Sequence, residues 1–292
     1  MSLPLGGLAT LASLLEASAP KPGNVSPGRP FRDMRFEDFA TSAVAIGPEL
    51  AQATDRPLGA TILAAVRARR AVVAPNTNLG IILLLVPLAR AAARRAASGA
   101  PLRAELAAVL AATTVDDARQ AYQAIREAAP GGLGTAGDQD LGSEPTVTLR
   151  EAMALAADRD SVAREWVTDF RLTFEVGAPA VLAARSAGAS WGDATMAAYL
   201  ALLAAEPDTL IARKLGRAAA EAVRDEARAL VALGGPANPE AAARVAAFDL
   251  SLRDPQNSRN PGTTADLTAA ALFTVLAEDA VAADFPRMPR AQ

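Results

Sequence analysis

The sequence predicts an all-α protein, a single multi-helix globular domain over residues 1–292 with a buried central helix. Two observations carry that expectation. No segment alternates β-branched with polar residues as strands do, aromatic residues are only 4% of the chain, and alanine-rich stretches with helical spacing fill it. The run from Gly80 to Ala89 has no charge and no hydrogen-bonding side chain, so a helix made from it is apolar on every face and must be enclosed by others. That run is far short of the roughly 20 residues that cross a bilayer, and Arg90, Arg94 and Arg95 follow it, which places it in a protein core.

In chain order, Leu8 to Ser18 reads as a first helix, stopped by Pro20 and Pro22, with a loop from Ala19 to Met34. Phe36, Phe39, Ala43, Ile46 and Leu50 mark a second helix with Pro48 inside it, and Asp55-Arg56-Pro57 breaks it. Ile62, Leu63, Val66 and Val73 mark a third, leading to the entrance Asn76-Thr77-Asn78-Leu79-Gly80 of the central helix, where Pro87 predicts a kink. Pro101 suits the first turn of a helix carrying Leu102, Leu106, Val109 and Leu110. Thr114 with Asp117, and Thr148 with Glu151, have the spacing of capping boxes, for Val115 to Ala129 and for a short helix ending near Asp158-Arg159-Asp160. Between them lies a glycine-rich, acidic loop, Pro130 to Val147. Val162, Trp166, Phe170 and Phe174 form a stripe that reads as core packing. Pro179 to Ala187, Asp193 to Glu206, Asp208 to Leu233 and Asn238 to Leu252 complete the helices before a last one that follows Asn260 to Asp266 and ends near Asp284. The arginines from Arg213 to Arg228 read as a solvated face.

Composition narrows the chemistry. There is no cysteine and no histidine, which removes disulfides, thiolate nucleophiles, most zinc sites and the commonest general base. Acid–base work then falls to carboxylates, lysine or tyrosine. A net charge of −3 argues against nucleic acid as a partner, and nothing suggests a membrane span or a secretion signal, so the cytoplasm is the expected compartment. The only lysines are Lys21 and Lys214, and Lys21 stands out in a Pro/Gly loop of a chain that otherwise uses arginine.

Four polar, glycine-containing loops meet helix ends: Lys21 to Asp33, Asn76 to Gly80, Pro130 to Glu144 and Asn260 to Asp266. Helix N-termini with Lys21 and Arg32 supply anion donors, and Asp33, Asp138, Asp140, Glu144 and Asp266 supply carboxylates. Gly80 lets a ligand approach the backbone closely. The combination suits a polyphosphate held with Mg²⁺, although each loop by itself can equally be a plain cap or turn.

Lys21-Pro22-Gly23-Asn24-Val25, Arg32-Asp33-Met34, Asn76-Thr77-Asn78-Leu79-Gly80, Glu144-Pro145-Thr146-Val147 and Asn260-Pro261-Gly262-Thr263-Thr264-Ala265-Asp266-Leu267 resemble the motifs of the triphosphoribosyl-dephospho-coenzyme A synthase family, in order, from about Leu14 to Leu276. The resemblance implies an all-helical transferase that attaches the triphosphoribosyl group of ATP to the ribose 2′-hydroxyl of dephospho-coenzyme A with loss of adenine. The product is the precursor of the prosthetic group of decarboxylase acyl-carrier subunits. It implies ATP as substrate, with Lys21, Asn24, Arg32, Asn76, Thr77, Asn78, Gly80, Asn260, Gly262, Thr263 and Thr264 around the nucleotide. Asp33 and Asp266 are the candidate catalytic carboxylates, one beside the oxocarbenium-like anomeric carbon and one accepting the hydroxyl proton, with Asp138 and Asp140 as candidate Mg²⁺ ligands.

The chain departs from the family pattern at several positions. Phe31 and Arg32 stand where the family has His-Lys, Arg35 where it has an acid, Asn78 and Leu79 where it has His-Lys, and threonines in the last motif. These departures predict slow adenine release with nucleotide binding retained, since neither Phe31 nor Asn78 can donate a proton. Other open readings are a divergent branch acting on another nucleotide or pterin cofactor in one-carbon metabolism, a hydrolase using water as acceptor, and a non-catalytic nucleotide-binding relative.

Overall fold

The computed structural model describes residues 3–128, 141–234 and 238–281. Among these it contains fourteen α-helices and no strand; the one β-type pairing is an isolated bridge between Ser26 and Arg29. The elements are α1 (Leu5–Ser18), α2 (Phe36–Ala51), α3 (Leu58–Val72), α4 (Leu79–Ser98), α5 (Leu102–Ala111), α6 (Val115–Ala128), α7 (Leu149–Ala154), α8 (Ser161–Val167), α9 (Ala178–Ser186), α10 (Trp191–Ala205), α11 (Thr209–Leu215), α12 (Arg217–Ala232), α13 (Pro239–Ser251) and α14 (Gly262–Val281).

Helix α4 is the central one, as its uncharged run requires. Ile82, Leu84, Leu85, Val86, Leu88 and Ala89 have no exposed surface, and α1, α2, α3, α5, α8 and α14 pack around them. Pro87 lies inside the helix, which continues through it to Ser98. A second cluster, built on Tyr199, Leu203, Ile211, Val223 and Phe248, joins α10, α11, α12 and α13. Helix α10 binds the two together, because Ala194, Ala198 and Leu202 face the main core while Met196, Tyr199 and Leu203 face the second.

The capping boxes form. The Thr148 amide donates to Glu151 Oε2 at 2.8 Å, the Thr114 amide to Asp117 Oδ2 at 2.9 Å, and each threonine hydroxyl accepts in return from the acid's own amide. One expectation fails for a backbone reason. Asp208 to Leu233 is not one helix: Gly216, at φ 87°, ends α11 and starts α12 on a new axis. Within the Val162–Phe174 stripe, Asp169 and Phe170 take left-handed conformations at φ 49° and 57° that end α8, and a π-turn from Thr173 to Gly177 follows. Buried Glu165 stitches that break, accepting from the amides of Leu172 and Thr173 at 2.9 and 2.8 Å. Trp166 and Phe170 are nevertheless fully enclosed, so core packing is their role.

Candidate active site

The N-terminal ends of α4 and α14 open on a shared cavity of about 610 Å³. The end of α1, the first loop, α6, the turn between α7 and α8, and α11 complete its wall. At the α4 entrance Asn78 adopts the left-handed conformation, φ 58°, that asparagine tolerates better than other non-glycine residues. No side chain caps this helix, so its first-turn amides lack the usual intramolecular partner. Arg69, almost fully buried, braces the approach by donating to the Pro75 carbonyl at 2.8 Å and to Asn76 Oδ1 at 3.4 Å. Thr77 shares a 2.5 Å hydrogen bond with Ser42.

Asp266, in the first turn of α14, is the acid that reaches this point. Its Oδ2 lies 2.1 Å from where a side-chain Cβ on Gly80 would stand, so only glycine at position 80 leaves room for the carboxyl. The close approach that Gly80 permits is thus already taken by a protein group. No donor among the described residues bonds the Asp266 carboxyl, which is half-buried and lines the cavity. Burial, and then the nearby Glu16, Asp208 and Asp160, hold its pKa well above the usual carboxylate range, with Arg213 opposing. The α4 terminus also opposes, but a helix end contributes about 0.3–1 kcal/mol. Desolvating a carboxylate costs several kcal/mol, so the net displacement is upward, towards the neutral acid.

The neighbouring acids are all engaged. Glu16 forms a 3.0 Å salt bridge with Lys21. Asp208 Oδ1 caps α11 through the amides of Leu210 and Ile211, while its Oδ2 accepts the Thr264 amide and hydroxyl, both at 2.8 Å. Asp160 caps α8 through Val162 and Ala163 and accepts from Arg213 at 3.2 Å.

The expected site residues divide accordingly. Asn24, Asp33, Asn76, Thr77, Asn78, Gly80, Asn260, Gly262, Thr263 and Asp266 all line the cavity. Asn24 donates to the Tyr199 hydroxyl at 3.0 Å, Thr263 accepts from Thr209 at 3.2 Å, and Asp33 accepts from Asn257 at 3.2 Å near the rim. The side-chain oxygens of Asn78 and Asn260 are buried without a partner. Lys21 is elsewhere: it has no exposed surface and gives its ammonium to Glu16 and to the carbonyls of Glu16 and Ala19. Thr264 is taken up by Asp208, and Arg32 is exposed outside the lining. Glu144 is also exposed and pairs with Arg119 at 3.0 Å. Asp138 and Asp140 lie outside the described residues, and among the described residues no three acids converge to hold a metal ion.

Three cations on the wall were not expected. Arg159, Arg213 and Lys214 line the cavity, so the start of the supposed solvated face belongs to the site instead. Arg213 keeps its Nε buried and unpartnered; Lys214 donates to the Asn257 carbonyl at 2.9 Å, and burial lowers its pKa. Two signals could have found them: the Asp208 cap with Gly216 eight residues on, which outlines a separate short helix, and the rarity of lysine, an argument that applies to Lys214 as it does to Lys21.

A sequence profile of the ATP:dephospho-CoA triphosphoribosyl transferase family matches residues 3–285. Over 97 residues the chain is 36% identical to a Pseudomonas aeruginosa (strain UCBPP-PA14) protein assigned as a 2-(5''-triphosphoribosyl)-3'-dephosphocoenzyme-A synthase, covering 33% of this chain and 32% of that protein. A Stutzerimonas stutzeri (strain A1501) protein of the same assignment is 36% identical over 107 residues, covering 36% and 35%. The matched stretches therefore span about a third of the length of these relatives. The fold is similar to a crystal structure from Archaeoglobus fulgidus assigned as a triphosphoribosyl-dephospho-coA synthase, with a TM-score of 0.63 at 28% identity, covering 81% of this chain and 97% of that one.

Proposed function

We propose, for a chain that belongs to the ATP:dephospho-CoA triphosphoribosyl transferase family, that it moves the triphosphoribosyl group of ATP to a hydroxyl of dephospho-coenzyme A and releases adenine. The observation that carries this reading is the single cavity in which uncapped α4, the first turn of α14, an unpartnered carboxyl and three cations meet. Its volume of about 610 Å³ lies within the usual range for small-molecule sites.

The parts fit the chemistry. Arg159, Arg213 and Lys214, with the α4 amides, offer donors and positive charge to a triphosphate. Asn76, Thr77, Asn78, Asn260, Gly262 and Thr263 surround the nucleoside, and Asn24 shapes the wall through Tyr199. Displacement of the base builds positive charge at the anomeric carbon; of the acids that line the cavity, Glu16 and Asp160 are engaged by other protein groups, and Asp33 is the carboxylate that accepts the acceptor's proton. Among the described residues no group of three acids is placed to hold a metal ion. Mg²⁺ would arrive on the triphosphate, keeping phosphate and water ligands, with Asp138 and Asp140 proposed to complete its shell. Among the described residues no helix is long and apolar enough to cross a membrane, and use of ATP suits a cytoplasmic enzyme.

Titration calorimetry with ATP and Mg²⁺, followed by chromatography of adenine with and without dephospho-coenzyme A, tests the reading. ATP binding with acceptor-dependent adenine release is expected. A folded protein that binds no nucleotide in excess Mg²⁺ rules it out, and adenine release indifferent to the acceptor makes the protein a hydrolase.

A further inference from the structure

A chain without histidine or cysteine must draw any catalytic proton from carboxyl, amine or phenol groups. Four acids lie near one another at the cavity: Glu16 from α1, Asp160 ahead of α8 and Asp266 in α14 line it, and Asp208 ahead of α11 is buried beside Asp266. Arg213 of α11 is the cation that acts on Asp266. Three of the four acids are held, by Lys21, by the α8 cap with Arg213, and by the amides of α11 and α14. Asp266 alone of them has no hydrogen-bond donor among the described residues, and it lines the cavity against the bare backbone of Gly80.

We propose that Asp266 is the general acid of the reaction, delivering its proton to the departing adenine. The inference rests on the transfer reading given above. As the bond between the anomeric carbon and adenine N9 breaks, its electron pair goes to the base, and the Asp266 O–H gives a proton to a ring nitrogen so that neutral adenine leaves. The acceptor's hydroxyl oxygen bonds to the anomeric carbon, and its proton passes to the Asp33 carboxylate. Asp266 ends ionised and Asp33 protonated, and exchange with water resets both. Burial, and then the acid neighbours Glu16, Asp208 and Asp160, raise the Asp266 pKa well above the usual carboxylate range, which favours the protonated state that the step needs.

The test compares two donors in wild type and in Asp266→Asn, with dephospho-coenzyme A present: ATP, and the 5′-triphosphate of nicotinamide riboside. Nicotinamide leaves from a cationic nitrogen and needs no proton. The variant is expected to release adenine about a hundredfold more slowly or worse. Its nicotinamide release should stay within about threefold of wild type, the mark of a lost proton and not of a lost site. Wild-type adenine release should fall as pH rises through the Asp266 ionisation, while its nicotinamide release should not follow that fall. Equal loss with both donors, in a variant that still binds ATP by calorimetry, overturns the assignment. So does a wild-type adenine rate whose pH profile matches that for nicotinamide, a measurement that does not depend on the variant folding. Wild-type transfer from the nicotinamide donor without any from ATP overturns the acid but keeps the transfer reading, whereas transfer from neither overturns the transfer reading itself.

Discussion

A methyl group on residue 80 would collide with the Asp266 carboxyl, and the two residues are therefore a pair. Gly80→Ala should fold, because alanine favours the helix that glycine weakens. It should still slow adenine release about tenfold or more by displacing the acid from its productive position. Combining it with Asp266→Asn should add little further loss, and a double-mutant cycle of release rates checks this; additive losses would separate the two residues. At this scale the sequence was informative where polar residues interrupt an apolar background, which is why Asn78, Asn260 and Asp266 stood out. It did not tell which group would approach Gly80, since a glycine shows that space is needed and not what fills it. Lys21 misled because a loop cation looks like an anion donor until a buried carboxylate, Glu16, is placed beside it.

The helices of the site are fastened by one side chain. Asp208 accepts four hydrogen bonds, two from the first turn of α11 and two from Thr264 in the first turn of α14, so it fixes Arg213 and Lys214 relative to Asp266. Asp208→Ala should cost about 2 kcal/mol, the upper range for a lost cap, because two helix ends lose their acceptor together. A lower urea midpoint with an unchanged slope is the expected signature; an unchanged midpoint would show that water replaces the carboxylate without loss. Capping boxes such as Thr114–Asp117 and Thr148–Glu151 could be read from spacing because their physics is local. The break at Gly216 is outlined only by the Asp208 cap eight residues before it, because the apolar pattern stays helical on both sides and a single glycine is tolerated within a helix. The positive φ of Asp169 and Phe170 is likewise imposed by packing and by Glu165, not by local preference.

Across the molecule, burial raises the pKa of Glu16, Glu165, Asp208 and Asp266. A carboxyl whose folded pKa exceeds its unfolded one adds stability that is full below the unfolded value and is lost as pH rises through the folded value. Glu105, Glu127, Glu151, Glu226 and Asp254 have the opposite shift, adding stability above their unfolded values and losing it in acid, but their exposed partners screen that effect. The buried set therefore dominates, and Tm should decline as pH rises above the usual carboxylate range and through the raised folded pKa values, in the opposite sense to a protein held by surface ion pairs. Asp266→Asn should flatten the decline, as thermal melts across that range would show; a Tm that rises towards alkaline pH would contradict the reading. The all-helical class and the enclosed α4 were legible because they follow from composition and one apolar run. The convergence of residues 24, 78, 213 and 266 on one cavity needs contacts between distant segments, which no local pattern encodes.

The burial of Lys21 has a further consequence. The sequence holds two side-chain amines, and folding seals one of them completely while leaving the other, Lys214, exposed on the cavity wall. An acylating dye added to the native protein can therefore modify a single lysine, and that lysine stands where a bound nucleotide would shield it or change the dye's emission. The second amine becomes reactive only when the chain opens, so the number of labels per molecule, read by mass spectrometry, separates folded from unfolded protein without any measure of turnover.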